Sequence, residues 1–441
     1  MIAGVAYLLA LLYCFVWFRI PQAAGVALPF QRILAWAGLL ALCAILALGR
    51  PVQAGPRGRT FLRFVVLFVA MLVVNLLAQV WAGRQLYLLY FFMDFSKYLA
   101  IFGSAFLIYY ALCYRLVEEK RFVRYLMLSG TASLVVVCLL VALYYAGFRT
   151  EINIIAQSFG GALGVWPAGG AVPRLAGTTA EPQQLAVIYL TPLMLMLSPE
   201  HIRRYRWIAL LGIAVLILSQ SKFSVVSILL LYTFLVLTYP RKRPGLILAG
   251  LVLAPIAGVL LIRLPTFAAL LTEGMGATAL VERLENLFLL LTIARDHPWF
   301  GIGAGQYGIY RGETLFSDPL FDPGYTPNMD FLKILAEVGV VGFIITLALL
   351  GSLLYRFART RTHLAPGSRP RFLAFLLGAV GILLNMFVGY ELLHVFFWLN
   401  IGFLLYMAEQ ARELGGGTDK AAYHPEGGLP DPDAEAVAVL Q

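Results

Sequence analysis

Charged side chains are scarce in this chain of 441 residues, of which only 13% are Asp, Glu, Lys or Arg. Soluble domains carry about 25% charged residues. The four cysteines (Cys14, Cys43, Cys113 and Cys138) lack the spacing of metal ligands and lie in or beside apolar runs, so we expect them in the core. A phosphate-binding P-loop is also missing, which argues against a nucleotide-driven pump. The alternating hydrophobicity of a membrane β-barrel is likewise absent.

The chain has long apolar runs instead, and 61% of its residues are hydrophobic. A run of about 20 residues is long enough to cross a bilayer of about 30 Å as a helix. We therefore predict an all-α, polytopic membrane protein with about twelve transmembrane helices, at residues 2–18, 33–49, 61–81, 86–113, 123–147, 184–198, 207–220, 223–239, 245–262, 330–355, 371–388 and 392–409. The first run lacks a basic n-region and a cleavage pattern, so we expect a retained helix and not a signal peptide.

Lys and Arg gather in alternate loops, which explains the net charge of +10 better than a nucleic-acid partner does. We expect no nucleic-acid binding. The opposite short loops hold only Arg19, Arg32, Arg84 and Lys222. Because cytoplasmic loops are enriched in Lys and Arg, both termini are predicted to lie in the cytoplasm.

Two long loops, about 148–183 and 263–329, are then predicted to face outward. Loops of this length are usually functional or disordered. Within the second loop, Val281–Ala294 has helical spacing of apolar residues and predicts an amphipathic helix at the membrane interface. Residues 1–412 form the predicted transmembrane domain. The Gly- and Pro-containing tail at 413–441 is expected to be a disordered cytoplasmic extension.

The second long loop contains the most informative segment, Asp296–Gly308, which is rich in glycine and aromatic residues. The long loops also carry individually placed arginines, whose guanidinium groups suit bidentate binding of phosphate or pyrophosphate. The alternative is that they pair with nearby carboxylates or extend toward lipid head groups. These arginines are Arg149, Arg174, Arg263, Arg283, Arg295 and Arg311.

Charged residues also lie inside two predicted helices. Asp330, Lys333 and Glu337 share one helix face, which should point into the bundle or a wet cavity because charge is costly in lipid. Both a functional role and a structural ion-pair ladder are open for them. Asp94 and Lys97 are more simply explained as a structural pair. Glu391 and His394 could reach the same cavity, or they could belong to a satisfied polar core.

His297 precedes Pro298 and could act as a general base. The favoured interpretation is structural, because histidine before proline often hydrogen-bonds the backbone.

These segments together resemble the bacterial O-antigen ligase and O-antigen polymerase (Wzy-type) superfamily. Their order and spacing carry the resemblance over nearly the whole chain. The segments are Asp296–Gly308 preceded by Arg283, Asn328 followed by Leu332–Gly342, Arg174–Pro182, and the turn Ser219-Gln220-Ser221-Lys222.

The resemblance implies a metal-independent membrane glycosyltransferase of the C-type architecture, without a cofactor, in the bacterial inner membrane and with its site facing the periplasm. Its donor would be an undecaprenyl-pyrophosphate-linked glycan. Its other partners would be membrane lipids and a chain-length regulator. By position, the residues that engage the pyrophosphate would be Arg174, Lys222 and Arg283.

The chain departs from the family at two positions. Ligases carry a histidine directly before the Asn that opens the tenth helix, and Pro327 stands there in this chain. This difference favours a polymerase over a ligase that transfers the glycan to lipid A-core. The usual arginine is also replaced by Lys222, which supplies charge but no bidentate fork.

Glycan transfer requires stabilisation of the leaving pyrophosphate and a base or orienting group for the acceptor hydroxyl. The predicted catalytic residues are Arg174, Arg283, Glu181 and Asp330. The predicted substrate-binding residues are Lys222, Arg295, His297, Trp299, Tyr307, Asn328 and Glu337. Trp299 and Tyr307 could stack on sugars, or they could only anchor the loop at the interface.

Two other classes remain open from the residues alone. A transporter of lipid-linked sugars would need broken helices and polar residues near mid-bilayer. A non-catalytic scaffold would leave the outer arginines unexplained. The sequence identifies neither the sugars nor the acceptor.

Overall fold

The computed structural model describes residues 1–15, 19–20, 28–47, 55–83, 87–148, 164–166, 174–179, 182–219, 221–242, 244–245, 247, 275–314, 326–327, 329–387, 389 and 394–415. Over these residues the protein is helical apart from two short antiparallel strand pairs, β1 (Arg19–Ile20) with β2 (Leu28–Pro29) and β3 (Gly164–Trp166) with β4 (Arg174–Gly177). The helices are α1 Ile2–Leu11, α2 Phe30–Ala47, α3 Pro56–Trp81, α4 Leu88–Cys113, α5 Glu119–Tyr145, α6 Pro182–Ile188, α7 Leu190–Met196, α8 Ile202–Leu218, α9 Lys222–Thr238, α10 Met275–Asp296, α11 Tyr307–Thr314, α12 Asp330–Thr360, α13 Arg369–Asn385 and α14 Val395–Gly415.

The all-helical prediction holds, with some changes in helix boundaries. The predicted helix 184–198 is two short helices, α6 and α7, and the predicted amphipathic helix within the second loop is α10, which is longer at both ends. The last helix continues to Gly415, past its predicted end at 409. The predicted helix 245–262 lies almost entirely outside the described residues, as does the tail from 416 onward.

Four of the described helices, α3, α4, α5 and α12, are long and apolar enough to cross a membrane, while α1, α2 and α9 contain shorter apolar stretches. These helices indicate a multi-pass membrane protein. The number of twelve spans stays a prediction.

Helix α4 lies at the centre of the bundle, where it packs chiefly against α14 and α2. Aromatic rings fill its contact with α3 and α14. The Phe102 ring meets Trp398 edge-on at a centroid distance of 4.6 Å and Phe68 at 5.4 Å. Edge-to-face pairs of this kind add to the stability gained from packing alone. They keep the helices together in lipid, where the hydrophobic effect between helices is weak.

A buried polar cluster joins α1, α7 and α14 within this apolar core. Asn400 of α14 donates to Thr191 of α7 (3.2 Å) and to the hydroxyl of Tyr13 (2.9 Å), just past the end of α1. The Tyr13 hydroxyl in turn donates to the Asn400 carbonyl oxygen at 3.1 Å. Because each polar atom has a partner, the cluster fixes the relative positions of these helices without an unpaired group in the core.

One end of the bundle, which we call the basic end, gathers the positively charged residues. Arg371 at the start of α13 pairs with Glu119 of α5 and with Glu200. Tyr406 of α14 also donates to Glu119, at 3.1 Å. The Arg57 amide donates to Glu409 at 3.1 Å. The other basic residues on these helix ends are Arg59, Arg63, Arg115, Lys120, Arg121, Arg124, Arg203, Arg204, Arg206, Arg241, Lys242, Arg356, Arg359, Arg361, Arg369 and Arg412.

The segment Asp296–Gly308, which we call the motif loop, lies at the opposite end, which we call the motif end. It contacts the last residues of α3, the first turn of α4 and the first half of α12. This separation matches the alternate basic loops of the sequence. The side of the membrane that each end faces stays a prediction.

Replacing Arg371 by Ala should lower the free energy of unfolding by about 3 kcal/mol, because it leaves the half-buried Glu119 without its cation. Arg121→Ala is the matched control, since its ion pair with Glu118 is largely exposed and should contribute less than about 1 kcal/mol. Thermal unfolding of the purified protein in detergent measures both. Equal effects of the two substitutions would contradict this account of the basic end.

Candidate functional site

The motif loop begins where α10 ends. The His297 amide still donates to the Ile293 carbonyl at 2.8 Å, but Pro298 has no N–H to continue the helix. Gly301, Gly303 and Gly305 then adopt φ values of 63°, 109° and 73°. These left-handed conformations suit glycine and turn the backbone sharply. The loop is thus a shaped backbone element.

Helix α12 is broken where this loop docks. Gly339 has φ 74° and ψ −177°, which interrupts the helical ladder. The loop supplies the missing partners: the Ile302 and Gly303 amides donate to the carbonyls of Ala336 (3.0 Å) and Glu337 (2.9 Å). In return, the Val340 amide donates to the Pro298 carbonyl at 2.7 Å. The loop backbone therefore replaces hydrogen bonds that the helix itself would otherwise make.

The two backbones approach too closely for side chains at this contact. A Cβ atom on Gly301 would lie 2.4 Å from the Ala336 carbonyl oxygen, and one on Gly339 would lie 2.2 Å from the Trp299 carbonyl oxygen. On the other side of the loop, a Cβ atom on Gly305 would lie 2.4 Å from the Tyr90 carbonyl oxygen. These three glycines are needed because backbone packs directly on backbone.

Helix α3 holds the loop from a second side. Much of its outer half exposes apolar residues, but Asn75 and Gln79 are buried. Gln79 donates to the carbonyls of Phe300 (3.3 Å) and Gly301 (2.9 Å). Asn75 donates to the Phe300 carbonyl and accepts from the Ala304 amide at 3.2 Å. Two side-chain amides on one helix face thus bind the loop through its backbone.

Helix α4 completes the docking through its first turn. The Gln306 side chain accepts from the Tyr87 amide at 3.1 Å and donates to the Tyr87 carbonyl at 3.2 Å. The motif loop is therefore held by three helices that are far apart in sequence.

A buried ion network lies beneath the loop. Lys333 of α12 pairs with Asp94 of α4 (2.8 Å) and with Glu337 (3.6 Å), and Lys97 pairs with Asp94 (2.6 Å). The other Glu337 oxygen accepts from the Tyr307 amide at 3.1 Å. The two charge groups seen separately in the sequence are therefore one network, and it reaches the motif loop through Glu337.

Several predicted site residues are thereby placed in packing contacts. Glu337 faces Lys333 and the loop backbone. Tyr307 is fully buried, and its hydroxyl donates to Asn286 at 2.8 Å, so its ring is not open for stacking on a sugar in this conformation. Asp330 is also buried, and its amide donates to the Gly389 carbonyl at 3.1 Å.

Helix α10 carries Arg283 on its packed face. Asn286, Leu290 and Ile293 are its buried residues, and Arg283 precedes Asn286 by three positions on the same face. The opposite face exposes Phe288 and its apolar neighbours. Arg283 is half-buried, and no carboxylate pairs with it among the residues that the structure describes. It is a cation that faces the protein without an ion-pair partner there.

The loop also presents exposed side chains. Trp299 is 67% exposed. Arg295 donates to Asp296 at 2.8 Å, and this hydrogen bond holds the pKa of the Asp296 carboxyl below its usual value. His297 is partly buried, and its backbone ends α10 and accepts from the Gly301 amide at 3.0 Å.

Two of the remaining predicted residues, Arg174 and Lys222, lie on elements that pack against α6. Arg174 opens β4 opposite Trp166, and β4 packs against α5, α6 and α8. Lys222 is the first residue of α9, which packs against α6 and α13, and the Ser221 hydroxyl caps this helix. The side chains of Arg174 and Lys222 lie outside the described residues, as do Glu181, Asn328 and Glu391. Whether these residues converge on Arg283 therefore stays a prediction.

Two groups of contacts were not foreseen from the sequence. Asn75 and Gln79 interrupt the apolar run 61–81 four residues apart, which was an available signal for a polar contact on one helix face. Gly339 carried no comparable signal, because glycine is common in this chain. In the part of the chain that is described, no group of three or more His, Cys, Asp or Glu residues is arranged to hold a metal ion.

Residues 207–347 match a family model described as O-antigen ligase. The matched segment contains most of α8, then α9, α10, the motif loop, α11 and the kinked half of α12. Over this segment the chain is similar to the O-antigen ligase and polymerase superfamily. The resemblance seen in the sequence is thus confirmed, and it places the motif loop and Arg283 within the family's own domain. No curated protein matches the chain.

Gly301→Ala should lower the free energy of unfolding by more than about 2 kcal/mol, because the left-handed backbone is strained for alanine and the new methyl group meets the Ala336 carbonyl. The control is Gly351→Ala, which lies in α12 with nothing within 4 Å and should stabilise by up to about 1 kcal/mol. Unfolding midpoints of the two variants in detergent provide the comparison. A midpoint for Gly301→Ala at or above that of the wild type would show that the loop does not dock as described.

Lys333→Met should be strongly destabilising, by about 3–5 kcal/mol, because Asp94 and Glu337 lose the cation that they share. Lys97→Met is the matched control. It leaves both carboxylates paired with Lys333, so only one hydrogen bond is lost and the cost should be smaller, about 1 kcal/mol. Chemical unfolding of both variants measures the difference, and similar losses would argue against a shared cation at Lys333.

Proposed function

We propose that this protein is a polymerase of lipid-linked oligosaccharide repeat units. It would transfer a glycan from undecaprenyl pyrophosphate to an acceptor sugar at the outer face of the bacterial inner membrane. The match of residues 207–347 to the O-antigen ligase family supports a glycan-transferring membrane enzyme. Pro327, at the position where ligases carry histidine, supports polymerisation over ligation.

The reaction forms a glycosidic bond and releases a charged lipid. The acceptor hydroxyl attacks the anomeric carbon, the bond from that carbon to the pyrophosphate oxygen breaks, and the hydroxyl proton passes to a base. Undecaprenyl pyrophosphate leaves as an anion. A fixed guanidinium stabilises such an anion best when no other anion competes for it.

Arg283 is the observation that carries this proposal. Arg283 lies on the packed face of α10, is half-buried and has no carboxylate partner in the described structure. These features suit a cation that binds an anionic ligand. Leu290 and Ile293 pack α10 against α12, so the backbone that carries the Arg283 side chain is held in place. Arg174 and Lys222 would add charge from the elements around α6.

The motif loop would then shape the sugar-binding part of the site. Its backbone is held by three helices, and it exposes Trp299 beside Arg295 and His297 for contact with the glycan. Asp330 and Glu181 remain the candidates for the base or for orienting the hydroxyl. Asn328 would bind substrate, while Tyr307 and Glu337 would support the loop.

Arg283→Ala should reduce transfer by about 100- to 1,000-fold, as expected when one charge-stabilising donor is lost. Arg283→Lys should recover part of this loss because charge is kept without the bidentate fork. The assay is polymer formation by purified protein supplied with synthetic undecaprenyl-pyrophosphate-linked repeat units. Arg359→Ala, at the basic end, is the control of the same residue type. Normal polymer formation by a folded Arg283→Ala variant would contradict the assignment.

The second candidate is an O-antigen ligase, which the description of the matching family favours. The two activities differ only in the acceptor. Offering either lipid A-core or a second lipid-linked repeat unit to the same preparation distinguishes them, because a polymerase elongates only the latter.

A further inference from the structure

Asn385, the last residue of α13, is a buried polar side chain without a partner. It is fully buried, and neither its Nδ2 nor its Oδ1 atom has a hydrogen-bond partner in the described structure. An unpaired buried amide costs about 1–3 kcal/mol, and in a membrane protein lipid offers no replacement. Such a group is rarely retained unless it has an additional role.

Asn400 shows what the same bundle does with an asparagine that is structural. It is also fully buried, on the neighbouring helix α14, and its amide bonds to Tyr13 and Thr191. The contrast shows that the same side chain is paired at one position of this bundle and unpaired at the other.

The position of Asn385 follows from the glycines that precede it. A Cβ atom on Gly381 would meet Leu230 of α9 at 3.1 Å and Leu190 of α7 at 2.7 Å. Asn385 lies four residues further along the same face of α13, about 6 Å closer to the motif end. This register places it level with the first turns of α9, which begins at Lys222. Gly389, four residues later, binds the Asp330 amide.

The chemistry of the amide restricts its ligand. Nδ2 needs an acceptor and Oδ1 needs a donor. A pyrophosphate offers only acceptors and would leave Oδ1 unpaired, and an isoprenoid chain offers neither. A sugar hydroxyl both donates and accepts. We propose that Asn385 is a substrate-binding residue that hydrogen-bonds hydroxyl groups of the glycan, between the residues around α6 and the start of α12.

This proposal rests on the proposed function, since it places the glycan of a lipid-linked donor or acceptor near Asp330 and Lys222. Phe387, two residues beyond Asn385, is 60% exposed, so the end of α13 lies close to the protein surface. Together these residues assign the sugar to the outer end of α13 and leave the pyrophosphate to the basic residues.

The test uses the near-isosteric substitution Asn385→Leu in the full-length protein. Its unfolding midpoint should equal or exceed that of the wild type, because an unpaired polar group is removed. Asn400→Leu, the matched control, should lower the midpoint by several degrees because Tyr13 and Thr191 lose their partner. A midpoint that falls for Asn385→Leu as it does for Asn400→Leu would show that the amide is already satisfied in the folded protein, for instance by water, and would overturn the proposal.

The functional readout is binding. Asn385→Leu should raise KM for the lipid-linked oligosaccharide on the order of tenfold at nearly unchanged kcat, since two hydrogen bonds to the ground state are lost. Direct binding of undecaprenyl pyrophosphate without a sugar should stay unchanged. An unaltered KM, or an equal loss of binding for the lipid without sugar, would overturn the assignment.

If the wild-type protein transferred no glycan, the proposed function would fail, and the same two lipids would still be compared by equilibrium binding. A sugar-dependent loss of affinity in Asn385→Leu would then support a glycan site in a protein with another activity. Equal affinities of variant and wild type for the oligosaccharide lipid would reject that site as well.

Discussion

The structure of the motif end depends on the exchange of hydrogen bonds at the break in α12. A helix interrupted within or near lipid leaves amides and carbonyls unpaired, and each such group is costly because water is scarce there. The motif loop supplies these partners with its own backbone, and Gly301 and Gly339 allow the necessary approach. The break and the loop therefore require each other. Because α10 leads directly into the loop, the position of Arg283 also depends on this exchange.

The ion network under the loop helps to align the loop backbone with α12 so that these hydrogen bonds can form. Buried ion pairs contribute little net stability, because desolvation offsets most of their attraction. Their geometry is nevertheless strict. Lys333 bridges Asp94 and Glu337, and Glu337 bonds the amide that opens α11. We interpret the network mainly as a means of orientation, since apolar side chains of similar size could fill this space but could not fix the loop backbone.

The sequence was sufficient to predict most of the helices but not the contacts between them. Apolar length alone located the four helices that are long enough to cross a membrane, because that signal is local, and helical spacing revealed α10. The docking of the loop depends on pairs such as Asn75 with Phe300 and Gly339 with Trp299, which are far apart along the chain and meet at the backbone of the loop. Backbone contacts leave little trace in residue type. Only the polar pair Asn75 and Gln79, within an apolar run, gave an advance indication of them.

Asn385 and Asn400 show how the same side chain can serve stability in one helix and ligand binding in the next. In an apolar bundle, selection for stability alone would either pair an asparagine or replace it. Asn400 is paired on all sides, which accounts for its presence. Asn385 weakens the fold by the cost of an unpaired amide, and that cost is offset when a hydroxyl-bearing ligand arrives. Such a site should make the wild-type protein less stable than the Asn385→Leu variant. It should also make the wild-type protein bind the glycan more tightly.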